Sequence, residues 1–515
     1  MEIILSILFL LMRFFDFLTT PIFKYRSKGA RKFLPPLKSD LLRISATELA
    51  KKIRNKEISS EEICQVYIDR IKEVNPILNA VVEERFRYAM REAKNVDGYL
   101  KTTSLSIREL EKIKPLLGVP ITVKECCSVK DLSLCVGLQS RKGFKAETDG
   151  EAVAKIRSSG GIVLLVSAAP EMAMAWECYN HVNGYTNNPY DTTCTSGGSS
   201  GGEGALLGAC ASLIGIGSDI AGSVRLPAAF NGVFGHKPTP RTVPLKGHFP
   251  IGHDEKYYDF LVIGPLVRYA CDFKLIMNAM CGSRIGSELN LYEHVDLSKL
   301  NVFYLESLNF NVTLPRVSKE IQAAVRDSVS HLKSHCGAKV HDYKFDEFKN
   351  VSVVCGSSIF SLKDIPNVLK GENSLFIVEL TKSLFGRSKF THNLMVFYFF
   401  ELLFKYVVGD YSQDNAKLKT FIVEKLKDNG VIILPTFHEP AHKHNQAILK
   451  NGYAYMIIAN ALGLPATSIP CGFDKDGMPI GVQVIAAPYQ DRLCIAVAEE
   501  LERHFGGWIP PPEND

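Results

Sequence analysis

The sequence has no Cys-x-x-Cys pair among its 13 cysteines, and only Cys126 and Cys127 are adjacent. The others are scattered from Cys64 to Cys494, and their number is odd. Disulfide frameworks and structural zinc sites use regularly spaced cysteines, so this pattern favours free thiols that are mostly buried. We interpret Cys126 and Cys127 as packing residues.

A surplus of positive charge is missing from most of the chain. The formal net charge is +5, and residues 1–43, with eight Lys or Arg against three Asp or Glu, account for all of it. The remaining body is neutral, so binding of a polyanion has no general electrostatic basis. We expect no nucleic-acid partner.

Internal repeats and low-complexity linkers are also missing. Apolar runs typical of buried strands alternate with amphipathic stretches typical of helices. The runs are 162–166, 213–216, 431–434 and 480–485, and the stretches include 151–158 and 493–503. A capping box at Ser59 and Glu62 predicts a helix that stops at Asn75–Pro76. The alternation indicates an α/β fold, with one large domain over residues 40–515.

Residues 3–23 are almost wholly apolar, and as a helix they would rise about 31 Å, the thickness of a bilayer core. Arg13 and Asp16 interrupt the run, close enough on a helix to pair. A secretory signal fits less well, because Glu2 stands where a basic region is expected. We predict that residues 1–32 are a membrane anchor, spanning or interfacial, with a basic flank that favours the cytosolic side. The alternative is an amphipathic helix that docks on the protein itself or on a partner subunit.

Residues 393–408 read NLMVFYFFELLFKYVV, with apolar side chains on nearly every helical face. Such a segment is more often a core helix. If it were exposed, it would indicate membrane contact or an entrance for a lipid substrate.

Candidate chemistry centres on the GGSSGG run at 197–202, on Ser223 in DIAGSVRLP and on Lys124 in GVPITVKE. A serine hydroxyl is a poor nucleophile at neutral pH. Two serines in glycine-rich backbone with one lysine in reach therefore suggest a proton relay that activates one of them.

Two other interpretations of the glycine run are weaker. A phosphate-binding loop would need a lysine after the final glycine, and Glu203 stands there. A nucleophile elbow, G-x-S-x-G, is satisfied around Ser199 and Ser200 but needs a strand directly before it. Residues 187–195 instead have turn-forming composition.

The runs GGSSGGEGALLG and GIGSDIAGSVRLPAAFNGVFGHKPT resemble the amidase signature family. The resemblance extends from about residue 45 to Gly481 and beyond, and it is strongest to the fatty-acid amide hydrolases of type 2. It implies a large twisted mixed sheet covered by helices on both faces, preceded by an apolar N-terminal helix. It also implies hydrolysis of a lipid amide, or of a related ester, through an acyl-enzyme at a membrane.

The resemblance assigns roles to individual residues. Ser223 would be the nucleophile, Ser199 the bridging serine after a cis peptide at Gly198, and Lys124 the base. A base must be uncharged, and burial disfavours the ammonium form of lysine. The oxyanion hole would be formed by backbone N–H groups of Ile220, Ala221, Gly222 and Ser223. The supporting residues would be Ser200, Asp219 and Arg225.

Two positions depart from the family pattern. Ala221 stands where glycine is usual and would be strained if its φ were positive, and residues 167–169 read Ser-Ala-Ala in place of a polar Thr-Asn. A catalytically impaired, membrane-anchored binding protein on the same fold is therefore one alternative. A glutamine amidotransferase A-type subunit is another. A homodimer is left open.

His438, His442 and His444 are close in sequence, but their spacing lacks a third-ligand pattern for zinc. We interpret them as part of a solvated loop. No metal and no cofactor is expected.

Overall fold

The computed structural model describes residues 2–308, 314–362, 366–450 and 452–513. Its strands are β1 (Val81–Glu84), β2 (Pro120–Lys124), β3 (Ile162–Ser167), β4 (Tyr179–Asn180), β5 (Gly184–Tyr185), β6 (Ile214–Asp219), β7 (Phe234–Lys237), β8 (Val262–Val267), β9 (Asn301–Tyr304), β10 (Lys339–His341), β11 (Gly430–Pro435), β12 (Ala466–Phe473) and β13 (Pro479–Ala486).

The helices are α1 (Glu2–Arg26), α2 (Ala46–Arg54), α3 (Ser60–Leu78), α4 (Phe86–Thr102), α5 (Ile107–Ile113), α6 (Glu151–Ser158), α7 (Gly201–Gly208), α8 (Arg225–Phe230), α9 (Tyr257–Phe260), α10 (Asp272–Cys281), α11 (Ser283–Glu288), α12 (Lys319–Ser334), α13 (Val351–Phe360), α14 (Val368–Gly371), α15 (Phe376–Leu384), α16 (His392–Leu403), α17 (Ser412–Leu426), α18 (Tyr453–Ala461) and α19 (Asp491–Phe505). A π-helical turn, Phe404–Val408, continues α16.

An 11-stranded mixed sheet has the order β1-β3-β2-β6-β8-β7-β12-β13-β11-β9-β10, and β4 pairs with β5 separately. Every residue of β2, β3, β6, β8 and β11 is buried. Strands buried on both faces must be covered by other elements on both sides, which explains their continuous apolar runs. The predicted α/β fold with a large mixed sheet is confirmed.

The capping box opens α3 as predicted, with the Glu62 N–H donating to Ser59 Oγ at 3.0 Å. The predicted stop at Asn75–Pro76 is wrong, because the helix continues to Leu78 and ends at Asn79, whose φ of 53° is left-handed. The Asn75 side chain then accepts the next two free backbone N–H groups, those of Ala80 and Val81. These side-chain contacts allow the helix to end after the proline instead of before it.

No helix in the described part of the chain is long and apolar enough to cross a membrane. The spanning form of the predicted anchor therefore has no support. One face of α1 packs on the protein body, as expected for the alternative of an amphipathic helix that docks on the protein itself. Phe9 is buried against Phe400 and Tyr453, with ring centroids 6.3 and 5.8 Å apart.

Polar contacts also hold α1 in place. Asp16 Oδ2 lies 2.9 Å from Lys450 Nζ, and that ammonium also contacts Glu439. The Gln446 amide donates to Thr20 Oγ1 at 2.9 Å. The opposite face of α1 exposes large apolar side chains, namely Ile7, Leu10, Leu11, Phe14, Phe15, Phe17, Leu18, Ile22 and Tyr25.

Candidate active site

Lys124 is the last residue of β2, and its side chain is fully buried. Its Nζ lies 2.7 Å from Ser199 Oγ and 3.1 Å from Ser218 Oγ. β2 pairs in parallel with β6, Val123 opposite Ile216, so the carboxyl ends of both strands reach the same edge of the sheet. Lys124 and Ser218 are separated by 93 residues in the sequence. They meet because the order of strands in the sheet places β2 beside β6.

Ser199 belongs to the glycine run and stands two residues before the start of α7. The Gly198–Ser199 peptide is cis, as the resemblance predicted. A Cβ on Gly198 would lie 2.4 Å from the Ala175 carbonyl oxygen, so only glycine fits there. Residues 186–200 form turns and isolated bridges without a strand, which agrees with the rejection of a nucleophile elbow.

Ser223 lies in the turn 220–224 between β6 and α8, and it is 4% exposed. Its carbonyl accepts the Ser200 N–H at 3.1 Å, which ties this turn to the glycine run. Within the described structure its hydroxyl has no hydrogen-bond partner, and it lines a cavity together with Ser199 and Ser218.

Asp219 and Arg225 brace this turn from the protein interior, and neither is exposed. Asp219 accepts two guanidinium N–H groups at 3.1 Å and the backbone N–H of Val224. Although burial opposes ionisation, the Arg225 charge lowers the pKa of the Asp219 carboxyl to about 2. Arg225 also donates to Gln483 and Asn460. Two of the three predicted supporting residues, Asp219 and Arg225, are thus a fully buried, hydrogen-bonded ion pair.

The four predicted oxyanion donors differ in availability. The Gly222 N–H already donates to Asp219 Oδ1 at 2.7 Å. In the described structure the N–H groups of Ile220, Ala221 and Ser223 have no acceptor. Three of the predicted donors therefore remain free beside the Ser223 hydroxyl.

Ala221 does not have a positive φ, so the strain anticipated for alanine is absent. Gly222 takes the left-handed conformation instead, with φ of 88°, and a Cβ there would lie 2.4 Å from Met456 Sδ. Ala168 and Ala169 contribute backbone hydrogen-bond acceptors. The Ala168 carbonyl accepts the Gly202 N–H, and the Ala169 carbonyl accepts an N–H of the Asn180 side-chain amide. Lys124, Ser199 and Ser223 are all present beside these two departures from the family pattern.

Sequence reasoning missed Ser218 and His248. Ser218 Oγ lies 2.9 Å from His248 Nε2 and 3.3 Å from Cys126 Sγ, in addition to its contact with Lys124. The serine could have been noticed from its position directly before Asp219. The histidine stands 30 residues further on, in a loop with no motif, and only the fold brings it here.

A mostly apolar cavity extends from Ser223 to Met12 of α1. Its lining includes Trp176, Ile220, Tyr257, Leu261, Ile359, Phe360, Val396, Phe397, Phe400, Phe404, Tyr453 and Ile457. The aromatic segment 393–408 thus has two roles. Leu394, Met395 and Tyr398 are buried core residues, whereas Phe397 and Phe400 face the cavity.

His438 and His442 are buried, so the prediction of a solvated loop is wrong for them. Burial lowers the pKa of both imidazoles well below its usual range. His442 packs edge-on against Phe230, and His444 contacts Glu177. Among the described residues the groups with metal-ligand spacing are elsewhere, namely Cys126, Cys127 and His248, and His331, His335 and Glu500.

Comparison with known proteins identifies the family of this chain. The profile of the family described as Amidase matches residues 62–495. Fatty-acid amide hydrolase 2 of Homo sapiens is 36% identical over 95% of this chain and 93% of its own length. Fatty-acid amide hydrolase 2-A of Danio rerio is 38% identical over 93% of this chain and 92% of its own. A solved fatty acid amide hydrolase has a TM-score of 0.73 at 24% identity, covering 92% of this chain and 87% of that one, which supports the fold.

Replacing Asp219 with Asn should lower the stability of the protein in a pH-dependent way. The carboxyl pKa is depressed in the folded state, to about 2, so its stabilisation is complete above the unfolded pKa near 4 and is lost as pH falls toward 2. We expect Asp219→Asn to cost about 2 to 3 kcal/mol at pH 7 and progressively less below about pH 4. Denaturant unfolding across pH measures this, with exposed Glu147→Gln as the control. A cost for Asp219→Asn that stays constant down to pH 2 would contradict the assignment.

Proposed function

The chain belongs to the amidase signature family of amide hydrolases, and we propose that it is a serine amidase that cleaves fatty-acid amides through an acyl-enzyme. Ser223 is the nucleophile, Ser199 the bridging serine and Lys124 the base in this proposal. The observation that supports it most directly is the buried contact of 2.7 Å between Lys124 Nζ and Ser199 Oγ, beside an open Ser223 hydroxyl.

The proton moves along the two serines in this mechanism. Ser223 Oγ attacks the amide carbonyl and passes its proton to Ser199, whose own proton goes to the uncharged Lys124 amine. The free backbone N–H groups in the turn 220–224 donate hydrogen bonds to the tetrahedral oxyanion, each typically contributing about 3 to 4 kcal/mol when essential. The relay then runs backwards and protonates the departing amine. Water repeats the cycle on the Ser223 ester and releases the fatty acid.

The lining of the cavity supports the proposal that the substrate has an apolar acyl chain. Apart from the polar groups near Ser223, its described lining is dominated by aromatic, aliphatic and methionine side chains. A glutamine side chain, which an amidotransferase subunit would deamidate, is short and polar and would leave this surface unfilled.

The exposed face of α1 supports interfacial membrane binding. It presents large apolar side chains from Ile7 to Tyr25, and Lys24 and Arg26 lie in its last turn. An amphipathic helix of this kind lies in the bilayer surface with its apolar face down. Since Met12 on the same helix lines the cavity, a lipid amide could enter directly from the membrane.

Ser223→Ala should abolish labelling by a fluorophosphonate probe and all amide hydrolysis. Lys124→Ala should lower kcat by about 10²- to 10⁴-fold and move the remaining activity to higher pH, because hydroxide then replaces the base. Exposed Lys130→Ala is the matched control. If Lys124→Ala were as active as Lys130→Ala, or if Ser223→Ala still hydrolysed amides, the proposed triad would be wrong.

The specificity constant should rise steeply with acyl length. Each methylene buried in the cavity contributes about 0.8 kcal/mol, or about fourfold in kcat/KM, until the cavity is filled. A series of saturated primary amides on detergent-solubilised protein measures this. Phe397→Ser and Phe400→Ser should flatten the profile, whereas Phe399→Ser, which is 37% exposed outside the cavity, should leave it unchanged. Equal values for short and long amides would contradict the lipid assignment but not the hydrolase.

A triple variant of α1, Phe14→Ser, Leu18→Ser and Ile22→Ser, should lower affinity for anionic phospholipid vesicles by about 10³-fold, because each buried apolar side chain contributes about 1.5 kcal/mol to membrane binding and the three together about 4.5 kcal/mol. Vesicle co-sedimentation measures it, and hydrolysis of a short soluble amide should not change. The control replaces three exposed apolar residues of α4 and α5, Tyr88, Ile107 and Ile113, with Ser. Equal losses in both triple variants would exclude α1 as the docking face.

A further inference from the structure

Lys124 lies between two hydroxyl groups, and its amine can serve only one of them as a base. An uncharged amine has two N–H donors and a single lone pair. Ser199 Oγ at 2.7 Å and Ser218 Oγ at 3.1 Å can both compete for that lone pair. If Ser218 donated its proton to Lys124, the proposed base would be blocked for Ser199.

His248 decides where the Ser218 proton goes. Its Nδ1 lies 2.7 Å from the Pro250 carbonyl oxygen, which can only accept, so Nδ1 carries the imidazole proton. In the neutral ring Nε2 is then an acceptor, and it lies 2.9 Å from Ser218 Oγ. The Ser218 hydroxyl therefore donates to His248, and its oxygen accepts an N–H from Lys124.

We propose that Ser218 and His248 are positioning residues that keep the lone pair of Lys124 available to Ser199. This proposal rests on the function proposed above and adds a third hydroxyl and an imidazole to the three catalytic side chains. Pro250 orients the imidazole, the imidazole orients Ser218, and Ser218 takes one N–H of the amine. Ser199 is then the hydroxyl that can donate to the lone pair of the amine.

The surroundings support a fixed arrangement of these groups. Lys124 is fully buried, and Ser218 and His248 are 3% and 6% exposed. The third neighbour of Ser218 is Cys126 Sγ at 3.3 Å. In this contact either atom can be the donor, but sulfur is both a weak donor and a weak acceptor, so the imidazole nitrogen at 2.9 Å is the stronger acceptor for the Ser218 proton.

Two substitutions of His248 distinguish the roles of its two ring nitrogens. In His248→Gln the side-chain amide reaches the position of Nε2 and can accept from Ser218. In His248→Asn the amide reaches only the position of Nδ1 and leaves Ser218 without its acceptor. We expect kcat within about threefold of the unsubstituted enzyme for His248→Gln and lowered by about 10- to 100-fold for His248→Asn and Ser218→Ala, with KM nearly unchanged. Cys126→Ala should keep kcat within about threefold.

A double-mutant cycle completes the test. If His248 acts only through Ser218, the variant carrying Ser218→Ala and His248→Asn should be no slower than Ser218→Ala alone. Multiplied losses in the double variant, a raised KM with unchanged kcat in His248→Asn, or equal kcat losses in His248→Gln and His248→Asn would overturn the proposal. Thermal unfolding of each variant identifies losses that come from misfolding, and the Gln and Asn pair keeps size and polarity comparable.

Failure of this inference can be distinguished from failure of the proposed function. Full activity in Ser218→Ala and His248→Asn, together with inactive Ser223→Ala and Lys124→Ala, would reject the positioning role alone. Full activity in Ser223→Ala would reject the proposed function itself.

Discussion

The buried ion pair between Asp219 and Arg225 is the contact on which the geometry of the site depends. Taking two charges out of water costs more than their attraction returns unless every remaining donor and acceptor is satisfied. Here the carboxylate also receives the Gly222 and Val224 N–H groups, and the guanidinium reaches Gln483 on β13. The pair therefore joins the end of β6, the turn that carries Ser223, α8 and a distant strand. The orientation of the Ser223 hydroxyl follows from this network.

The order of strands in the sheet supplies the second constraint. β2 lies beside β6 in parallel, which brings Lys124 to the edge where β6 ends. Close contact of the glycine run with its surroundings then sets the position of Ser199, because a Cβ at Gly198 or at Gly202 would lie 2.4 or 2.5 Å from backbone atoms of neighbouring segments. Lysine and serine thus meet at 2.7 Å, and both side chains are buried.

The polar end of the site and its apolar remainder are built by different parts of the chain. The sheet edge carries the hydroxyls and the amine, whereas α13, α16 and α18 line the cavity beyond them. α1 adds Met12 at the far side and is held there by buried Phe9 and by the Asp16 contact with Lys450. A charged residue inside an apolar helix, which looked unfavourable in a bilayer, is explained by this ion pair.

Sequence alone determined the features that depend on local pattern. The apolar runs placed β3, β6, β11 and β13, and the GGSSGG, DIAGSVRLP and GVPITVKE segments supplied Ser199, Ser223 and Lys124 as the candidate site residues. It also identified α1 as apolar, because composition is local. Tertiary structure decided which neighbours these residues meet. Four findings depend on it: His438 is buried, the Gly222 N–H donates to Asp219, α1 docks on Lys450, and His248 lies beside Ser218. These contacts join residues that are distant in sequence or that a turn brings together. Such contacts depend on strand order and packing, which hydrophobic period and motif spacing do not encode.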